Sequence, residues 1–216
     1  MFQTFDSAGD PSVGKPRVER LRQWLSENGL DGFIVPRADE HQGEYVPACA
    51  ARLKWLTGFS GSAGVAVVLR DRAFIFVDGR YQLQVRSETD PSVFAVESLV
   101  DNPPPQWMKD NVAKGARLGF DPWLHTIAEV KALQAAAQKC GAVLVPVEAN
   151  PVDAIWHDRP APPLAPVEIH PAAFAGELAM DKLARLAAAV ERHGAPHALP
   201  TGPASIARAV DLRGGR

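Results

Sequence analysis

Apolar positions change their spacing repeatedly along the chain, and the changes outline alternating helices and strands. Pro16 opens a segment in which Val18, Leu21, Trp24 and Leu25 share one helical face, and Gly29 stands where a C-terminal cap belongs. Gly32-Phe33-Ile34-Val35, closed by Pro36, reads as a short buried strand. Asp39 to Tyr45 is polar and turn-like. Residues 53–56 are expected as a strand entering the Gly/Ser loop 58–64. Two β-branched or aromatic runs, 65–69 and 73–77, flank the charged turn Arg70-Asp71-Arg72, which makes the clearest β-hairpin. A helix over 80–88, a strand over 93–97, a helix over 104–112 and a strand over 118–120 follow. Ile127, Val130 and Leu133 then mark one side of a helix over 127–139, and residues 143–147 give a last strand. The alternation, broken by one hairpin, predicts an α/β fold: a mixed β-sheet flanked by helices.

The pattern then stops. Five of the thirteen residues from 159 to 171 are proline, a stiff stretch that cannot join a sheet interior. It reads as a linker after a domain spanning 1–158, whose first ten residues are expected to be loose. Beyond it, Leu183, Leu186 and Val190 recur at helical spacing in a helix over 177–192. One helix and a fragment cannot close a core of their own. Residues 172–216 are therefore expected to be the beginning of a second, truncated domain.

Composition narrows the function classes. Hydrophobic residues make up 46% and charged residues 22%, enough to bury a core. The formal charge is −2, with no Lys/Arg block, which argues against a nucleic-acid binder. No apolar run approaches membrane-spanning length, and the first residues lack a basic stretch followed by an apolar one. Cys49 and Cys140 lie too far apart for a CxxC site; two cysteines do not make a disulfide scaffold and fit a reducing cytoplasm.

Candidate chemistry is sparse. Neither Ser60 nor Ser62 completes a GxSxG elbow, and a strand rather than a helix is expected after them, so a serine nucleophile is disfavoured. The Gly/Ser loop is no phosphate cradle either, and reads as a tight turn whose glycines allow close backbone approach. The six histidines form no HExxH or HxxxH pair on a helix, so no metal site and no catalytic residue is assigned. Asp39-Glu40-His41 with Glu44 and Tyr45 is either a solvated turn or the wall of a binding cleft. Asp78 is placed to cap the helix that follows, with Arg80 beside it. Trp55, Trp107, Trp123 and Trp156 are expected in the core or at a domain contact.

In order along the chain come Asp39-Glu40-His41-Gln42-Gly43-Glu44-Tyr45, Arg52, Trp55-Leu56-Thr57-Gly58-Phe59-Ser60-Gly61-Ser62-Ala63-Gly64, Val77-Asp78-Gly79-Arg80-Tyr81 and Ile155-Trp156-His157-Asp158-Arg159-Pro160. Together they resemble the N-terminal part of the long-form Xaa-Pro aminopeptidases, in the creatinase/prolidase family. The resemblance runs over nearly the whole chain. Ser205-Ile206-Ala207-Arg208 and Asp211-Leu212-Arg213-Gly214 keep a reduced form of a family strand and turn, with Arg208 at the usual tryptophan position.

The resemblance implies a creatinase N-terminal domain, a second domain of related fold, and a catalytic "pita-bread" domain that this sequence does not contain. That domain would hold two divalent metal ions, manganese by family habit, on two Asp, one His and two Glu; none of those ligands maps onto this chain. The implied role is non-catalytic: helping to form a homodimer and positioning a proline-containing peptide in the cleft. His41, Tyr45, Arg52, Phe59 and Arg80 are the expected cleft-facing residues, from their places in the matched motifs. The alternative is a free-standing binding or regulatory module, or an inactive relic, that pairs with a full-length relative. Residues 1–158 do not separate the two.

Overall fold

A computed structural model describes residues 9–214. The loose start expected for the chain falls largely on residues 1–8, outside the described residues. The elements run α1 (Gly14–Glu27), β1 (Gly32–Pro36), α2 (Arg52–Thr57), β2 (Val65–Leu69), β3 (Ala73–Val77), α3 (Gln84–Glu88), β4 (Phe94–Ser98), α4 (Pro104–Asn111), β5 (Arg117–Phe120), α5 (Ile127–Cys140), β6 (Val143–Pro146) and α6 (Pro151–Ile155). Beyond them lie β7 (Val167–Ile169), α7 (Ala172–Ala175), α8 (Ala179–Arg192), α9 (Pro203–Ala209) and β8 (Leu212–Gly214).

The first six strands form one mixed sheet in the order β4-β3-β2-β1-β5-β6. β2 is antiparallel to both its neighbours, and the other pairs are parallel. Alternation along the strands sorts the core into two layers. Phe33, Val35, Ala66, Val68, Ile75 and Val77 point to the side of α1, α2 and α6, whereas Ile34, Val67, Phe74 and Phe76 point to the side of α4 and α5. On that second side Trp107, 1% exposed, packs edge-on to Phe74 and Phe76. α5 begins with a capping box, Thr126 and Glu129 bonding each other's backbone, and ends at Gly141 with φ +73°.

The expected mixed sheet, its hairpin and its flanking helices are present. Three local readings need correction. Residues 53–56 are helix, not strand. Leu53 and Leu56 face the core one turn apart, the Thr57 hydroxyl donates to the Leu53 carbonyl at 2.8 Å, and Gly58 at φ +84° caps the turn. The helix expected over 80–88 is split into a 3₁₀ turn at Gly79–Tyr81 and α3. Ser205 to Arg208, likened to a strand, lies in α9, which Pro203 opens. Of the two places expected for the tryptophans, Trp123 is not in the core: it is 75% exposed. Within the proline-rich stretch, β7 pairs with β8 in a separate two-stranded sheet.

After Trp156 no hydrophobic side chain among the described residues is buried. Yet this region repeats the start of the chain. α1 places Val18, Leu21 and Leu25 on one face and ends before Gly29 at φ +65°. α8 places Leu183, Leu186 and Val190 in the same register and ends before Gly194 at φ +71°. The caps match bond for bond. Asn28 Nδ2 donates to the Trp24 carbonyl and His193 Nδ1 pairs with that of Ala189, while the N–H groups of Leu30 and Ala195 return to the carbonyls of Leu25 and Val190. The difference is burial. Val18, Leu21 and Leu25 are at most 1% exposed, and Leu183 and Leu186 are 40% and 45% exposed.

Candidate functional site

The strand directions gather the motifs. The segments that follow β1, β3 and β5 leave the sheet at the same end at which the Gly/Ser loop enters the reversed strand β2. Motifs spread from Asp39 to Tyr81 in sequence therefore share one end of the fold.

The loop after β1 is held by its own side chain. Asp39, 4% exposed, accepts the backbone N–H groups of His41 and Gly43 at 3.1 and 3.0 Å, and Arg37 Nη2 donates to the Glu44 carbonyl at 2.7 Å. His41 is exposed, its Nε2 3.9 Å from Glu40 Oε1, and Tyr45 also projects to the surface.

Arg52 enters from α2 and is buried. Its Nε and Nη2 donate to the two carboxylate oxygens of Asp153 at 2.7 and 2.8 Å, a bidentate pair. Arg159 Nη1 reaches the same carboxylate at 2.7 Å, and its Nε donates to the Cys49 carbonyl at 2.6 Å. Arg159 thus ties the segment after Trp156 back to Asp153 and Cys49. Burial pulls the Arg52 pKa down, but the hydrogen bond and charge of Asp153, with the charges of Asp121 and Glu40, carry it above its ordinary value. Arg52 Nη1 is buried without a hydrogen-bond partner.

Phe59 and Arg80 meet around a residue that had not been singled out for the cleft, Tyr81. Phe59, 1% exposed, stands edge-on to the Tyr81 ring at 5.6 Å, and the Arg80 guanidinium lies over that ring, 5.1 Å from its centroid. The Tyr81 hydroxyl is 2.5 Å from Ser62 Oγ, and that hydrogen bond lowers its pKa. Asp78 caps the turn through the Arg80 N–H at 2.9 Å and pairs with the Arg80 side chain at 2.7 Å.

The structure thus brings Arg52 and Phe59 to one small cleft of about 120 Å³, together with Arg37 and Lys54. Arg80 reaches that group through Tyr81. His41 and Tyr45 stay on their own loop. On another side of α2 a wider hollow of about 570 Å³ is lined by Trp55, Trp156, Val46 and Arg17. Trp55 and Trp156 stack there at 5.2 Å, with the Arg17 guanidinium 4.6 Å over Trp55.

The Gly/Ser loop makes no nucleophile. Ser60 Oγ lies 2.8 and 2.9 Å from the carboxylate oxygens of Glu88, its N–H donates to Glu88 at 2.7 Å, and Gln84 Nε2 donates to Ser60 Oγ at 3.0 Å. No imidazole joins that network among the described residues, so the base of a serine hydrolase is lacking. The network clamps the loop to α3. Gly58 is essential to the clamp, since a Cβ there would lie 2.6 Å from the Glu88 carbonyl oxygen. Gly58→Ala is expected to lose more than about 1 kcal/mol of stability, checked by urea unfolding.

The Asp78–Arg80 pair gives a pH dependence of known sign. The hydrogen bond from Arg80 holds the Asp78 carboxyl below its ordinary range. Its contribution is present above the unfolded-state value, about pH 4, and is lost as pH falls through the lower folded-state value. The thermal midpoints of the wild type and Asp78→Asn should differ at neutral pH and converge in acid.

No group of three or more His, Cys, Asp or Glu side chains among the described residues is placed to hold a metal ion. The described residues thus do not fit the implied metal pair. No helix of the described residues is long and apolar enough to cross a membrane. Cys49 and Cys140 are free thiols.

Residues 17–155 match the model of the creatinase/prolidase N-terminal domain. The chain belongs to the creatinase/prolidase family. It is an N-terminal creatinase-like domain of the Xaa-Pro aminopeptidase branch. It is 37% identical over 201 residues to the protein of Aspergillus niger named "Probable Xaa-Pro aminopeptidase P", covering 92% of this chain and 33% of that one. It is likewise 37% identical over 179 residues to the Neosartorya fischeri protein of the same name, 82% of this chain and 27% of the relative. The chain thus spans about a third or less of these relatives. X-prolyl aminopeptidase of Caenorhabditis elegans, described as a cytosolic enzyme with a di-nuclear active site, shares the fold with a TM-score of 0.84 at 24% identity, over 93% of this chain and 35% of that one. The N-terminal domain of peptidase PepQ from Mycobacterium tuberculosis aligns at TM-score 0.51 and 25% identity over 64% of this chain and 97% of that one.

Proposed function

We propose that this chain is the non-catalytic N-terminal region of an Xaa-Pro aminopeptidase, a metallopeptidase that releases the residue preceding proline. Its role is to pair with a second protomer and to border the cleft in which the peptide lies. One observation carries this reading. The end of the sheet that gathers the motifs also exposes a large apolar side chain from nearly every segment there: Tyr45 after β1, Leu83 and Val100 after β3 and β4, Trp123 and Ile127 after β5, each at least 72% exposed. Exposed apolar side chains from so many segments at one end suit a contact surface rather than open water. The Arg52–Phe59–Arg80 group lies along the same end, with His41 and Tyr45 on the neighbouring loop.

The chemistry then belongs to a longer protein. The relatives extend well beyond the matched length, and the di-nuclear centre named for the nematode enzyme needs carboxylate and imidazole ligands that the described residues do not bring together. Two divalent ions, manganese by the family resemblance, would be held there. The repeat of α1 in α8 supports reading residues 172–216 as the opening of a second domain of related design, after the domain 1–158 and the linker 159–171. Its uncovered face of Leu183 and Leu186 awaits a sheet like the one that covers Leu21. The free thiols and the cytosolic relative favour the cytoplasm.

Rigorously purified chain is expected to release no residue from an Xaa-Pro peptide with or without added manganese. In the longer protein, Tyr45→Ala and Arg80→Ala should raise KM or weaken dimerisation while leaving metal content unchanged. Metal-dependent cleavage by residues 1–216 alone would defeat the proposal.

A further inference from the structure

The opposite end of the sheet, where β1 and β5 begin and β2 turns into β3, carries a separate cleft of about 450 Å³, within the size range of small-molecule sites. Its walls come from three segments: the start of β1, the β2–β3 turn, and the stretch leading into β5. They bring four cations together, Arg70, Arg72, Lys114 and Arg117, against two carboxylates, Asp31 and Asp71. This excess arises in a chain whose formal charge is −2.

The local partners leave much of that charge unanswered. Arg70 Nε stands 2.8 Å from Asp31 Oδ1, while Asp31 Oδ2 accepts the Arg117 backbone N–H at 2.7 Å. Arg72 Nε is 3.6 Å from Asp71, and its Nη2 donates to the Asn111 carbonyl at 3.2 Å. The Arg117 side chain is held only through Nε, by the carbonyl of Gly29 at 2.9 Å. Lys114 makes no hydrogen bond or ion pair among the described residues. Cations clustered around one hollow repel each other unless an anion joins them. The floor differs in character: Leu69, Val112 and Leu118 are apolar and nearly buried. The turn is also braced from behind, because Arg22 Nε donates to the Leu69 carbonyl at 2.9 Å, so the site is largely formed before a ligand arrives.

We propose that this cleft binds a small phosphorylated molecule. Arg72, Lys114 and Arg117 hold the phosphate, and an apolar part of the ligand rests on the floor. Guanidinium forks suit phosphate oxygens, and a neighbouring ammonium adds a point charge. The site is remote from the loop end and independent of the peptidase reading.

The test uses pyrophosphate as the probe, titrated at constant ionic strength with sodium chloride as balance. The thermal midpoint of the chain should rise saturably, and calorimetry should give a matching isotherm. Arg72→Ala/Lys114→Ala removes two exposed side chains, so the variant should still fold, and its own midpoint in the absence of probe is the reference for its response. Its affinity for pyrophosphate should fall about tenfold or more. Arg37→Ala, at the other end of the sheet, should bind as the wild type does. The proposal is overturned if no saturable response appears up to millimolar probe, if the double variant binds equally well, or if Arg37→Ala removes the binding.

Discussion

Trp107→Ala loses about 4 kcal/mol of stability, the upper range for emptying an aromatic from a core. The indole is 1% exposed and is the hub of the layer between the sheet and α4, touching Phe74 on one side and Phe76 on the other at ring separations of 4.6 and 5.5 Å. Both phenylalanines lie on β3, whose far end carries Asp78 and Arg80, so the loss should loosen the strand that positions them. Trp107→Phe should do much less harm, under about 1.5 kcal/mol. It keeps most of the volume and also removes an indole N–H that is buried without a hydrogen-bond partner. Urea unfolding followed by circular dichroism distinguishes the two. Equal losses would mean that a property of the indole other than its volume matters.

Asp153→Asn is expected to lose about 3 kcal/mol, because removing one partner of a buried ion pair strands the other. The Arg52 side chain is only 7% exposed and spends two donors on Asp153, and Arg159 depends on the same carboxylate. Asparagine keeps the shape and withdraws the charge. With Asp153 neutral, Arg52 would retain the weaker fields of Asp121 and Glu40, and its third nitrogen is already unpaired. Replacing both members, Arg52→Leu with Asp153→Leu, should recover part of the loss, since a buried pair is often no more stable than an apolar filling of like volume. A double-mutant cycle in urea measures this; a single-variant loss below about 1 kcal/mol would show that the pair is effectively solvated.

Much of the fold was legible because it rests on local signals. The hairpin announced itself by two β-branched runs around Arg70-Asp71-Arg72, and α1 by its apolar stripe and closing Gly29. α2 was misread because it is under two turns long, too short for Leu53, Trp55 and Leu56 to display a helical period. Whether Trp123 lay in the core or at the surface was not legible, because an aromatic residue carries no mark of which side of a turn it faces. Both apolar stripes were legible, but the α1–α8 likeness was not, because the matching caps use different side chains, Asn28 and His193.

At the site, the motifs were visible as strings but their gathering was not. Arg52 and Asp153 lie 101 residues apart in sequence, and no local pattern links them. The Ser60–Gln84–Glu88 clamp and the place of Tyr81 between Phe59 and Arg80 likewise depend on which end of the sheet each loop leaves. That is a matter of strand order and direction.

The lone reversed strand, β2, gives the domain two poles. One pole is aromatic and suited to company; the other is basic and suited to a soluble anion. Because the length of the strands separates them, substitutions can accumulate at either pole without disturbing the opposite one, and the two should drift independently among proteins that share this architecture.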